Sequence, residues 1–160
     1  MNTRLLAASA CAILSAAVSA PAWAGSAAAP SAASAVETVD AFAAALKSGD
    51  AAAVERLVAP DVLIAESGGA ERSFSEYAGH HMPADMAFVK AVGSAIKDRR
   101  VFAGGTQATV VTEAISKGTF RDKPVHSRLM ETMTLQKTGE EWRIVHIHWS
   151  SAKIEEHGEH

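Results

Sequence analysis

The chain has 160 residues, 48% of them hydrophobic and 21% charged, with a formal net charge of −3 and a single cysteine. That length suits one domain with a substantial core. The absence of any basic run or basic–aromatic interleaving argues against a nucleic-acid partner, and one cysteine excludes a disulfide framework.

Residues 1–24 read as a secretory signal peptide. Arg4 supplies the positive start, Leu5 to Val18 the apolar stretch, and Ala22-Trp23-Ala24 a small-residue cleavage site before Gly25. The apolar stretch is too short and too rich in Ala and Ser to span a membrane. Ala8 and the brief apolar run before Cys11 argue against a lipid attachment site. Cleavage removes Arg4 and Cys11, leaving a net charge of −4 and no cysteine. The expected compartment is the periplasm or the exterior, with no membrane attachment after cleavage.

Residues 25–33, rich in Ala, Ser and Pro, predict a flexible lead-in to a domain over 34–152. The pattern Ser34-Ala-Val-Glu37 predicts a capping box opening the first helix. Its buried stripe is Val36, Val39, Phe42, Ala43 and Leu46. Gly49 closes that helix, and Asp50 caps a second over Ala51 to Val58 that ends at Pro60. A strand follows from Asp61 to Glu66, and Gly68-Gly69 turns it into a short partner near Ala70 to Arg72. Ser73-Phe-Ser-Glu76 is a second capping box for a brief helix. Pro83 opens another helix, to Val92, that buries Met86, Val89 and Phe88.

Beyond Val92 the pattern is β, with long strands at about 94–103, 107–120, 125–137 and 141–152 joined by short turns. Consecutive long strands with tight turns predict an antiparallel sheet. Residues 153–160 are polar and predict a disordered tail.

The last strand alternates in two registers. Trp142, Ile144, His146, His148 and Ser150 would share one face, and Arg143, Val145, Ile147 and Trp149 the other. Paired histidines two apart on one face can bind a metal, hydrogen-bond a ligand or move a proton. If the Trp149 face points outward, it supplies an anchor for a homodimer.

The opening "VDAFAAALKSGDAAAVERLVAPDVLIAESGG" and the closing "WRIVHIHWSS" resemble the nuclear transport factor 2-like superfamily, and within it the small SnoaL-like bacterial domains. The resemblance covers about residues 34–152. It implies an α+β fold, a cone-shaped barrel in which a bent antiparallel sheet wraps about three helices. It also implies a small-molecule pocket at the open end and an outer sheet face used for dimerisation. It names no reaction, because this fold carries isomerases, cyclases, dehydratases and pure binding domains alike.

The groups expected at the cone mouth are Glu66, His80, His81, Asp85, His126, His146 and His148. Glu66 follows Val62 and Ile64 on one face of its strand, so Glu66 or His148 is the candidate general base for a lyase, isomerase or hydrolase. Tyr77, His81, Met86, His146 and His148 are the candidate ligand contacts. Met82, Phe88, Met130 and Trp149 offer further apolar lining. His126 and Arg128 share a face that could meet an anion. No cofactor is required. Zn²⁺ or Cu²⁺ is the candidate metal, held by His80 or His81 together with His148 and, in one arrangement, His146.

Overall fold

A computed structural model describes residues 30–155; the predicted signal peptide over 1–24, residues 25–29 of the predicted lead-in and residues 156–160 of the predicted tail lie outside the described residues. The elements are α1 (Pro30–Ser48), α2 (Ala51–Leu57), β1 (Val58–Glu66), β2 (Gly69–Glu71), α3 (Phe74–Gly79) and α4 (Met82–Ala91). The strands β3 (Val92–Gly104), β4 (Gln107–Phe120), β5 (Lys123–Thr138) and β6 (Glu141–Lys153) complete the chain.

Helix α1 begins four residues before the predicted cap, so residues 30–33 are helical rather than a flexible lead-in. Pro30 occupies the first turn, where its missing N–H costs nothing. Ser34 does not cap. Its hydroxyl accepts a hydrogen bond from Trp142 Nε1 at 2.9 Å, and its carbonyl accepts one from Thr38 Oγ1 at 3.0 Å. The buried face is Ala35, Val39, Phe42, Ala45 and Leu46, while Ala43 is exposed.

The end of α1 is a Schellman arrangement. Asp50 N donates to Ala45 O (3.0 Å), Gly49 N donates to Leu46 O (3.2 Å), and Gly49 adopts φ +77°. Asp50 Oδ1 then accepts from Ala53 N at 2.9 Å, starting α2 one residue later. The chain therefore reverses direction sharply. Strand β1 starts directly after α2 and runs through Pro60, where the sequence predicts a break. Pairing with β6 is interrupted between Val58 and Leu63, so Pro60 owes no ladder hydrogen bond.

The six strands form one curved sheet in the order β2-β1-β6-β5-β4-β3. Four of the five pairings are antiparallel; β1 and β6 run parallel, because the intervening hairpins return β6 beside β1 in the same direction. This makes the sheet mixed, where an all-antiparallel one was expected. The helices pack on the inner face, over Val110, Met133, Leu135, Ile144 and Ile147.

Strand β6 departs from simple alternation. Its buried residues are Trp142, Ile144, Ile147 and Trp149, with a jump of three in the middle. Ile144 pairs with Leu135 and His146 with Thr134, adjacent residues on β5 but two apart on β6. Val145 is thus the extra residue of a bulge, which reverses the facing of everything after it. His146 and His148 point outward, and Trp149, 8% exposed, points into the core. The predicted face shared by Trp142 and His148 does not exist, and Trp149 is not an outer anchor. The strand also extends to Lys153, and Ile154 N donates to His126 O, so the start of the predicted tail is ordered.

Candidate functional site

The sheet's inner face, α1 and α4 enclose a cavity of about 380 Å³. Phe42, Phe88, Leu129 and Trp149 supply apolar wall. One rung of the sheet crosses it: Arg99, Thr112, Glu131, Trp149 and Glu66 are successive partners on β3, β4, β5, β6 and β1. Trp149 lies against Phe42 and Tyr77, each with ring centroids 6.4 Å away.

The first polar station is Asp85, in the first turn of α4. Ser73 caps α3 by accepting from Glu76 N at 3.1 Å, and that short helix drives Tyr77 into the core at 0% exposure. Tyr77 OH donates to Asp85 Oδ2 at 3.0 Å. Burial pushes the Asp85 carboxyl up to about 6. The charges of Glu66 and Glu71 push the same way, against the Tyr77 hydrogen bond and His81. Burial and then Asp85 raise the Tyr77 phenol far above its ordinary range, so it stays a proton donor.

The second station is Glu131. Trp149 Nε1 donates to its Oε2 at 2.9 Å. Burial raises this carboxyl, against the Trp149 hydrogen bond and Arg99. Arg99 is held in turn, donating to Asp40 Oδ1 at 2.7 Å and to Thr112 Oγ1 at 3.2 Å.

Of the expected residues, Glu66 lines the cavity, on the same face as Val62 and Ile64 as its alternation predicts. Tyr77 is buried beneath it, holding Asp85. His81 lies at the α3–α4 corner, paired through Nδ1 with Glu71 Oε1. Met86 is half-buried against the core, outside the cavity lining. His146 and His148 are on the opposite side of the sheet, where His146 Nδ1 meets the Leu63 carbonyl at 2.8 Å. The bulge therefore removes both from the ligand contacts, and His148 from the candidate bases. Met130 is 39% exposed on that same outer face, and Arg128 there pairs with Glu113 at 3.2 Å. His80, exposed, closes α3 through its backbone N–H to Tyr77 O.

The expected metal cluster does not assemble, since the sheet separates His148 from His80 and His81. Among the described residues no three His, Cys, Asp or Glu side chains come together as a metal site. Nor is any described helix long and apolar enough to cross a membrane. Sequence reasoning passed over Glu131 and Arg99. Glu131 shares the period-two phase of Met133 and Leu135, and a charge in a core-facing phase was the available signal.

Comparisons with known proteins agree with this architecture. A family model described as a SnoaL-like domain matches residues 36–154. A Shewanella frigidimarina protein bearing the provisional name ketosteroid isomerase is 38% identical, with a TM-score of 0.69, covering 71% of this chain and 92% of that one. The CaMKII hub of S. rosetta is 24% identical, with a TM-score of 0.67 over 79% of this chain and all of its own. A Pseudomonas putida NTF2-like protein of unknown function is 17% identical, with a TM-score of 0.61 over 75% and 85% of the two chains. The last two share the fold alone. No curated protein matches the chain. On the span of the family match and the likeness to the Shewanella protein, the chain belongs to the SnoaL-like domain family, of NTF2-like fold.

Proposed function

We propose that this domain binds a small, largely apolar molecule in the cone and moves a proton on it, with Asp85 as the acid–base group. One observation carries the reading: a carboxyl in a mostly apolar cavity, oriented by the Tyr77 hydroxyl and pushed by burial to about 6. Such a group is largely ionised at neutral pH yet basic enough to take a proton. The base thus moves from Glu66 or His148 to Asp85, with Glu66 a second carboxylate on the wall. The provisional name of the Shewanella relative, an isomerase of ketosteroids, fits an apolar substrate.

The test is hydrogen–deuterium exchange at the α-carbons of a panel of cyclic and unsaturated ketones, followed by NMR in D₂O. Wild type accelerates exchange on at least one member, and Asp85→Asn loses about a hundredfold or more. Unchanged exchange in the variant, or none in the wild type, overturns the reading.

Two further parts belong to it. The residue 1–24 pattern supports export, which fractionation of expressing cells tests. Leu63 and Met130, each 39% exposed on the outer face, support pairing with a second copy there. Light scattering at tens of micromolar reads the mass directly, and a monomer refutes that part.

A further inference from the structure

Glu71 and His81 have no part in the proton transfer described above, yet they make a contact unlike the others on this surface. Glu71 ends the three-residue strand β2 and is only 7% exposed, whereas His81 is largely open to solvent. A carboxylate so withdrawn from water needs a partner, and the His81 ring is that partner. His81 is also the N-cap residue of α4, and its side chain makes no capping bond to the helix. Its ring faces the sheet edge while its carbonyl accepts from Ala84 N and Asp85 N, each at 2.9 Å. The residue that grips Glu71 is therefore the one on whose carbonyl Asp85 is seated.

We propose that Glu71 and His81 act as a positioning pair for Asp85, fastening the first turn of α4 to the edge of the sheet and setting the charge that the Asp85 carboxyl meets. The inference rests on the reading of Asp85 as the working carboxyl. The groups around Asp85 come from several elements: Glu66 from β1, Glu71 from β2, Tyr77 from α3 and His81 at the head of α4. Lys47 of α1 and Arg99 of β3 line the same cavity, Arg99 already held by Asp40. Among them His81 is the cation that favours an ionised Asp85, and Glu71 holds its proton on by hydrogen bond and charge. The two partners thus act on Asp85 with opposite signs. A pair that merely stabilised the corner would not produce that signature.

The experiment follows the Asp85 carboxyl by ¹³C NMR across pH, with no substrate present. His81→Gln keeps a hydrogen bond to Glu71 without the charge, and the Asp85 titration moves up, on the order of half a pH unit. His81→Lys restores the charge and returns the titration toward wild type. Adding Glu71→Gln to His81→Lys, where the lysine stays charged without its partner, moves it down. That pattern supports the proposal. An Asp85 titration that stays fixed, or moves the same way on loss of either partner, overturns it. If the opposed shifts appear while ketone exchange is absent, the pair stands and the proposed reaction falls. If exchange is present and the shifts are absent, the reverse holds.

Discussion

Replacing Asp85 by Asn isolates the cost of ionising a carboxyl in the cone. The folded protein holds this proton to about 6, against an ordinary value of 3.8. A group raised in the folded state contributes stability that is fully present below its unfolded pKa and lost as pH climbs through the folded one. At about 1.4 kcal/mol per pH unit, the full effect is about 3 kcal/mol. Asp85 is half-buried rather than enclosed, and solvent screening reduces this to about 1–1.5 kcal/mol. Asn carries no charge and still accepts from the Tyr77 hydroxyl. Between pH 4 and pH 7.5 the variant should therefore gain about 1–1.5 kcal/mol on the wild type. Urea unfolding of both proteins at the two pH values measures this, with midpoints compared at constant m. A stability difference that stays the same at both pH values would mean that Asp85 titrates in the ordinary carboxylate range. Its candidacy as the base would fall with that result.

Trp149→Phe keeps the ring beside Phe42 but removes the N–H that Glu131 accepts, so stability at pH 7 should fall by about 1–3 kcal/mol, and by less in acid, since burial raises the Glu131 carboxyl; urea titrations at neutral and acid pH check it. Gly118→Ala would place a Cβ 3.2 Å from Val92 Cα and 3.3 Å from Ala91 O, backbone atoms that cannot swing aside. Calorimetry should show a lower melting temperature, equivalent to about 1–3 kcal/mol. Asp50→Ala removes the cap of α2 and should cost about 1 kcal/mol in the same measurement, with the cavity residues unaffected.

Much of the fold was legible where local chemistry decides it. Strand β4 occupies the residues its alternation predicts, Gln107–Phe120, and the Gly49–Asp50 and Ser73 signals mark real helix ends. Where a distant partner decides, the reading failed. Ser34 carries a capping pattern, but the indole of Trp142, 108 residues away, claims its hydroxyl. Pro60 looks like a stop until the interrupted β1–β6 pairing spares it a hydrogen bond. The site divides in the same way. Glu66 was found by counting along one strand. The Tyr77–Asp85 bond joins two short helices across a corner, and neither residue's neighbours in sequence announce it.

The bulge at Val145 works as a phase shifter in the chain. Upstream of it, even-numbered side chains of β6 enter the core; downstream, odd-numbered ones do. Substitutions at Ile147 or Trp149 degrade this arrangement one side chain at a time. Pairing Val145 as an ordinary strand residue would instead rotate the whole downstream segment, sending His146 and His148 inward and Ile147 and Trp149 to solvent. That one-residue slip would do the damage of several simultaneous core replacements. The register of β6 across the bulge is therefore under tighter constraint than the identity of the residue at position 145.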